Sequence, residues 1–314
     1  MDTLPSHRLL VVDALANALL LVKSPAGNIL AEQPLPSGFS LVDITLHPDG
    51  NEAYLALAGN GGKGLIATVS LPSLTITSQL PTPHPVQMAY VPNNKKFILT
   101  DPDGTLYCTQ TSSPPQIWGK PDQATYCTGL TAVENRTYGV WETPGGGVLA
   151  VFDENGQENY KRFFGAVPTN LISDPYGHLL IPFTAGPLSG EGILVLSHHA
   201  LDDFSTSIIT QCHDYSATAP LYPKHAVVAN GTTAYLANEE AGHLSIIDLP
   251  SRRPVGTIPL GQSVSRIGLL PGDKFAIASS NMFANLCLID LVNRRLIAFT
   301  DERETLSPFA VLAV

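Results

Sequence analysis

A repeat of about 41 to 44 residues runs through this chain, and it constrains the architecture more than any other feature. Each unit contains a short apolar strand that ends in a turn. These strands begin at Ile44, Met88, Leu130, Leu171, Ala226 and Ile267, so the successive intervals are 44, 42, 41, 55 and 41 residues. A period of this length, with several short strands in each unit, is typical of the blades of a β-propeller.

One unit shows how four strands fit into a single repeat. Strands are predicted over 224–228, 233–237, 243–248 and 255–259. Gly-, Pro-, Asn- and Asp-rich turns separate them, beginning with Asn230-Gly231. Alternating short strands and turn residues predict a four-stranded antiparallel blade.

The two ends of the chain predict a closed architecture. Residues 307–314 have the form of an inner strand with nothing after it, and 9–13 and 19–22 look like second and third strands with nothing before them. Joined, they complete a seventh blade and leave no exposed sheet edge between the termini. The prediction is an all-β, seven-bladed β-propeller that forms a single domain over 1–314.

Composition excludes several classes of function. The formal net charge is −10, from 27 acidic and 17 basic residues, and no basic stripe marks a nucleic-acid binder. Every apolar run is shorter than the roughly 20 residues of a membrane-spanning helix.

The first residues lack a secretory signal, which predicts a cytoplasmic protein as given and leaves a mature exported form open. A closed propeller needs no partner subunit, so a monomer is expected.

The four cysteines do not indicate a metal site. They are Cys108, Cys127, Cys212 and Cys287, which fall in different repeats without a CxxC pair. We interpret them as buried thiols, and we expect neither a zinc site nor a disulfide framework. No motif for a cofactor is present either.

One unit carries a family resemblance. The segments Tyr222-Pro-Lys-His225, Asn230-Gly231, Ala234-Tyr-Leu-Ala-Asn-Glu239 and Leu244-Ser-Ile-Ile-Asp248 resemble the YVTN-type β-propeller repeat, which includes seven-bladed lactonase-like proteins. The resemblance covers nearly the whole chain as repeats, but only this unit matches closely. A WD dipeptide and a Gly-His pair are missing, which disfavours the WD40 subclass. The resemblance implies His, Arg and Glu at the mouth of a central channel, with no redox cofactor.

Two sets of residues are predicted to converge on that face, because two of the four kinds of loop in a propeller surround the mouth of the channel. The first set begins the inner strands: Asp43, Gln87, Gly129, Asn170, His225, Arg266 and Phe309. The second set follows the second strands: Ala14, Ala58, Asp101, Glu142, Thr184, Glu239 and Ser279. Polar groups gathered in this way favour a site for a small polar or anionic molecule, although a water-filled channel explains them equally well.

An enzyme at this face would use His225 as general acid or base, because the unperturbed pKa of histidine lies near neutrality. Arg266 and Lys224 would hold a carboxylate or a developing oxyanion. Glu239, Glu142 or Asp43 would orient His225 or pass a proton.

The lactonase-like Pro-Arg-His segment is Pro-Lys224-His here, and lysine lacks the bidentate fork of arginine. Hydrolysis, lyase chemistry and isomerisation therefore all stay open. The alternative is a non-catalytic propeller that binds a peptide or protein partner.

Three irregular segments complete the predictions. The interval of 55 residues carries extra residues at 185–191 and 211–220, which form either a wall over the site that includes Tyr215 or tolerated surface insertions. Residues 60–64, Asn-Gly-Gly-Lys-Gly, suit an anion cradle, but a plain hairpin is the favoured interpretation. His198-His199 is interpreted as an outer turn, because adjacent strand residues face opposite sides and rarely share a metal ion.

Overall fold

Short antiparallel strands build the whole protein in the computed structural model. It describes residues 7–24, 28–71, 73–110, 113–184, 190–201, 208–210, 221–279, 286–300 and 308–313. In chain order the strands are β1 (His7–Asp13), β2 (Ala18–Ser24), β3 (Asn28–Pro34), β4 (Phe39–Leu46), β5 (Glu52–Gly59), β6 (Lys63–Ser70), β7 (Thr75–Pro83), β8 (Gln87–Val91), β9 (Lys96–Thr100), β10 (Leu106–Gln110), β11 (Ser113–Gly119), β12 (Cys127–Val133), β13 (Arg136–Thr143), β14 (Gly146–Phe152), β15 (Glu158–Phe164), β16 (Val167–Pro168), β17 (Ile172–Ser173), β18 (His178–Thr184), β19 (Gly192–Ser197), β20 (Ile208–Thr210), β21 (Pro223–Ala229), β22 (Thr233–Asn238), β23 (His243–Asp248), β24 (Arg253–Pro259), β25 (Arg266–Leu269), β26 (Phe275–Ser279), β27 (Leu286–Asp290), β28 (Arg295–Thr300) and β29 (Pro308–Ala313).

A single 3-10 turn, Pro92–Asn94, is the only helical element in these described ranges. Accordingly, the described part of the chain holds no helix with the length and apolar character needed to cross a membrane.

The strands form seven sheets, which confirms the predicted seven-bladed β-propeller. Blade 1 has the order β29-β1-β2-β3, blade 2 is β4 to β7, blade 3 is β8 to β11, blade 4 is β12 to β15, blade 6 is β21 to β24 and blade 7 is β25 to β28. In blade 5 the order is β16-β18-β19-β20, and the short β17 also pairs with β18. The reference unit matches its prediction closely, since β23 has the predicted bounds and the other three strands differ by one or two residues at an end.

The chain divides into two compact units. Unit 1 comprises Met1–Leu35, Glu191–Leu196 and Asp202–Val314, and unit 2 comprises Pro36–Gly190 and Ser197–Leu201. Unit 1 contains blades 1, 6 and 7, whereas unit 2 contains blades 2, 3 and 4. The single domain expected over 1–314 stays a prediction.

Blade 1 is closed by the two ends of the chain, as the sequence predicts. Strand β29 pairs antiparallel with β1, and the register places Leu9 opposite Ala313 and Val12 opposite Ala310. The first strand of the chain therefore has hydrogen-bonded neighbours on both sides, β2 and β29.

Burial follows the position of a strand within its blade. The third strand of blade 4, β14, is buried at all seven residues, whereas the outermost strands β3 and β24 alternate between exposed and less exposed residues. A strand with a sheet on either side buries both of its faces, whereas an edge strand buries one.

The apolar core lies between neighbouring blades. One cluster joins Leu244 and Ile246 of blade 6 to Ala276 and Ile289 of blade 7. A second cluster joins Ile98 of blade 3 to residues of blade 4, which include the fully buried Trp141. Facing sheets therefore supply each core jointly, which explains why a single repeat cannot fold alone.

Gly129 of blade 4 packs closely against the backbone of blade 5. A Cβ atom at this position would lie 2.1 Å from the backbone nitrogen of Leu171 and 2.7 Å from the carbonyl carbon of Asn170. Backbone atoms cannot move aside as a flexible side chain can. Glycine at this position is therefore a packing requirement, and the inner-strand position in blade 4 carries no functional side chain.

We expect Gly129→Ala to lower the free energy of unfolding by about 2 kcal/mol or more, because the added methyl group overpacks a backbone contact. Gly165→Ala is the matched control, since a Cβ at Gly165 would meet nothing within 4 Å. Urea unfolding of both variants measures the difference. Equal stabilities would contradict the proposed steric role.

Candidate functional site

The strand registers test the equivalence of the inner-strand positions directly. His225 lies opposite Ala237, and Arg266 lies opposite Ser279. In blade 2, Asp43 lies opposite Ala56. The Ala-Tyr-Leu-Ala segments that end at Ala56 and Ala237 match in sequence, so these registers confirm that Asp43, His225 and Arg266 occupy corresponding positions.

Three assignments in the two predicted sets are wrong. Ser279 lies opposite Arg266, so it corresponds to Ala237 and not to Glu239. Thr100 lies opposite Gln87, so Asp101 falls one residue short of the position of Glu239. In blade 1, Ala310 lies opposite Val12, and it is therefore Ala310, not Phe309, that corresponds to His225. The shift at Phe309 has a physical cause, because a bulge inserts one extra residue there.

His225 carries a buried nitrogen atom. The side chain keeps some exposure, but its Nδ1 atom is buried and has no hydrogen-bond partner among the described residues. Burial, together with the nearby charge of Arg266, lowers the pKa of the imidazole to about 3. The imidazole is therefore uncharged near pH 7. The sequence predicts instead a general acid or base whose pKa lies near neutrality.

Lys224 is the extra residue of a bulge. The register with β22 shifts between Pro223 and His225, so Lys224 is the one extra residue that β21 contains at this point. Its Nζ atom lies 3.8 Å from Oε2 of Glu239 and 4.3 Å from the centre of the Tyr222 ring. Bulges re-aim side chains at strand ends. This one places a lysine between a carboxylate and an aromatic face, where both attract the ammonium group.

A buried glutamate binds the two residues that precede this strand. Glu191 is 5% exposed, and its two carboxylate oxygens accept hydrogen bonds from the backbone N–H groups of Leu221 (2.7 Å) and Tyr222 (3.0 Å). Sequence reasoning gives Glu191 no role, because its donors are backbone groups 30 and 31 residues away. The available signal was that Glu191 is the only acidic residue in the irregular segment 185–191.

The other predicted site residues that the structure describes belong to unit 2. The Asp43 carboxylate accepts the N–H of Ile44 (2.8 Å) and, through its second oxygen, the N–H of Met88 in blade 3 (2.8 Å). Asn170 accepts the N–H of Leu171 (2.8 Å) in the same manner. Asp43 therefore ties two blades together, a structural role that sequence reasoning does not give it.

Gln87 and Glu142 also belong to unit 2. Both occupy the places in the repeat that the sequence predicts. Gln87 begins β8 opposite Thr100, and the backbone N–H of Glu142 donates to the carbonyl oxygen of Tyr126 (2.8 Å). The structure thus groups His225, Arg266, Lys224 and Glu239 in unit 1, and Asp43, Gln87, Glu142 and Asn170 in unit 2. Convergence of all eight on one pocket stays a prediction.

Tyr215 lies outside the described residues, as do the segments 185–189 and 211–220 that contain most of the long interval. The predicted wall over the site therefore stays a prediction. Of the first segment, Gly190 and Glu191 are described, and Glu191 lies in the contact given above.

Two secondary candidates are ordinary turns. Gly61 and Gly62 both have positive φ angles, 73° and 76°, between β5 and β6. Two such residues in a row form a tight hairpin turn, which confirms the favoured interpretation of this segment. His198 and His199 lie in a turn after β19, as predicted, but their ring centres are 3.7 Å apart. They do not point to opposite faces, because they are not on a strand.

The part of the chain that the structure describes contains no candidate metal site. No group of three or more His, Cys, Asp or Glu side chains there is arranged to hold a metal ion. Cys108, Cys127 and Cys287 are buried free thiols, as the sequence predicts, and burial raises the pKa of Cys127 to about 12. Cys212 lies outside the described residues.

Comparison with known proteins gives the fold and nothing finer. No family model matches the chain, and no curated protein matches it, so the YVTN-type resemblance stays a prediction. Apo AztD from Citrobacter koseri is similar in structure, with 12% identity and a TM-score of 0.67 over 99% of this chain and 98% of that one. A functionally unknown protein from Desulfotomaculum acetoxidans DSM 771 has 12% identity and a TM-score of 0.70, over 98% and 99%.

A third similar structure is longer than this chain. The dihydro-heme d1 dehydrogenase NirN, in complex with DHE, has 14% identity and a TM-score of 0.66 over 96% of this chain and 65% of that one. At such low identities these similarities support the β-propeller fold alone and do not indicate a function.

The pKa of His225 predicts how stability depends on pH. Below pH 6.5 the unfolded chain protonates this imidazole, whereas the folded chain does so only near pH 3. We therefore expect the free energy of unfolding to fall as pH drops from 6.5 toward 3. In His225→Gln we expect the number of protons taken up on unfolding in this range to be smaller by about one. Urea unfolding at several pH values, with an NMR titration of the imidazole, measures both. An imidazole that titrates near 6.5 would contradict this prediction.

We expect Glu191→Gln to destabilise the protein by about 1–3 kcal/mol, because a carboxamide has one acceptor oxygen for two backbone donors. Glu240→Gln is a suitable control, since Glu240 is exposed and its side chain has no comparable contact among the described residues. Thermal and urea unfolding of the two variants give the comparison. A loss no larger than that of the control would show that the contact of Glu191 with the backbone of Leu221 and Tyr222 does not stabilise the fold.

Proposed function

We propose that this propeller binds a small anionic molecule, a carboxylate, through Arg266, His225 and Lys224 of blades 6 and 7. The observation that carries the proposal is the buried Nδ1 atom of His225, which lacks a hydrogen-bond partner among the described residues and lies close enough to Arg266 for its charge to lower the pKa of the imidazole. Buried polar atoms in native proteins nearly always have a partner. A ligand group at this position would supply one.

The residue types favour a carboxylate. The guanidinium of Arg266 presents paired N–H donors in a plane, the geometry that matches two carboxylate oxygens. The neutral His225 adds a hydrogen bond without adding a charge. The anion would in turn raise the pKa of His225, because a nearby negative charge favours the protonated form.

Turnover of the ligand is the finer part of the proposal. The resemblance to lactonase-like propellers suggests a hydrolase, lyase or isomerase in which His225 moves a proton. A ligand-free pKa of about 3 makes the imidazole a weak base, so proton transfer requires the anion to be bound first. The carboxylate of Glu239 lies close to Lys224, where its negative charge offsets part of the positive charge of the ligand site. No redox cofactor enters this scheme.

The test is a binding measurement with a matched pair of variants. We expect Arg266→Gln to weaken the binding of small carboxylates at least about tenfold, because it removes one partner of a charged hydrogen bond. Arg253→Gln makes the same charge change at an exposed residue of β24 and should bind as the wild type does. Calorimetry with a panel of four- to six-carbon hydroxy acids and their lactones gives the affinities.

The outcomes separate the proposals. Equal affinities for the Arg266→Gln and Arg253→Gln variants would reject the carboxylate site. Binding without conversion of any lactone or hydroxy acid would reject the catalytic part and leave a binding propeller. A peptide or protein partner that competes with the carboxylate would support the non-catalytic alternative.

A further inference from the structure

Lys224 is held in place by two groups on its own blade. Its side chain is 30% exposed, that of Glu239 is 16% exposed, and the two approach to 3.8 Å. The Tyr222 ring also contacts this ammonium group, with its centre 4.3 Å from Nζ. The backbone N–H of Glu239 donates to the carbonyl oxygen of Tyr222 (3.0 Å), so the backbones that carry the carboxylate and the ring are joined.

Blade 4 shows that the fold does not require this lysine–glutamate pair. There the N–H of Glu142 donates to the carbonyl of Tyr126, as the N–H of Glu239 donates to Tyr222 in blade 6. The bulge between Cys127 and Gly129 leaves Thr128 where blade 6 has Lys224. The same backbone arrangement therefore forms without a cation, and the pair in blade 6 is an addition to the repeat.

The pair limits what a ligand finds at this end of the site. If one anionic group of a ligand occupies Arg266 and His225, a second anionic group directed at Lys224 also meets the carboxylate of Glu239. The second group must then displace Glu239 or accept its repulsion. A neutral hydroxyl or carbonyl group meets no such repulsion, because it can accept from Lys224 or donate to Glu239.

We propose that Glu239 is a specificity residue that restricts the site to ligands with one anionic group, that is, to monocarboxylates. The inference rests on the proposed carboxylate site and adds the substrate class to it. It gives Glu239 a role in ligand selection that differs from the orienting or proton-passing role suggested by its sequence position.

Butyrate and succinate test the proposal, because they have the same number of carbons and differ in the second carboxylate. We expect wild-type protein to prefer butyrate, and Glu239→Gln to strengthen succinate binding about fivefold more than it strengthens butyrate binding. Glu240→Gln is the matched control, since it removes the same charge from the next, exposed residue. Calorimetry at constant low ionic strength gives the affinities, and thermal unfolding verifies that each variant is folded.

A double variant completes the test. In Lys224→Gln/Glu239→Gln the gain in succinate affinity should vanish. The double variant lacks the Lys224 ammonium group, which would otherwise bind the second carboxylate once Glu239 is removed. A gain of the same size in the Glu240→Gln variant, or no gain in Glu239→Gln, would overturn the specificity role. Failure of wild-type protein to bind either acid, or binding that survives Arg266→Gln, would instead reject the carboxylate site itself.

Discussion

Hydrogen bonds between neighbouring blades are the interaction on which the rest of this structure depends. Pairing within a four-stranded sheet says nothing about where the next sheet lies, and apolar contacts between sheets tolerate sliding. Polar contacts fix the position: Asp43 accepts from the N–H of Met88, the Thr131 and Ser173 hydroxyls lie 2.7 Å apart, and Asp273 accepts from the N–H of Asn230. Their partners are separated by 45, 42 and 43 residues, the period of the repeat.

The candidate site depends on this alignment. His225 and Arg266 sit on different strands, and only the matched registers of blades 6 and 7 place them at corresponding positions. Within blade 6 a single extra residue, Lys224, adds a cation. The buried Glu191, outside that blade, binds the backbone just before β21. The registers that the blades share thus position His225 and Arg266. Local departures from the repeat contribute Lys224 and Glu191.

The sequence predicts the architecture well because strand length, turn residues and period all encode it. It predicts the inner-strand positions of Asp43, His225 and Arg266 for the same reason. It fails at Ser279 and Phe309, because counting residues from a matched position fails when blades differ in bulges or strand ends. It also misses the low pKa of His225 and the contacts of Glu191, since both arise from burial and from groups about 30 or more residues away in sequence. The pairing of Lys224 with Glu239 needs a distance that no pattern supplies.

The pairing of β29 with β1 has a consequence for biosynthesis. Strands β1 to β3 leave the ribosome well before β29, so the sheet to which they belong gains its innermost strand only when residues 308–313 have been made. Contacts at such sequence separation form late, because loop closure is costly and slow. During translation β1 therefore presents an unpaired edge for the time that about 300 residues take to synthesise. A chaperone or a transient pairing partner that covers this edge would protect the nascent chain from association with its neighbours.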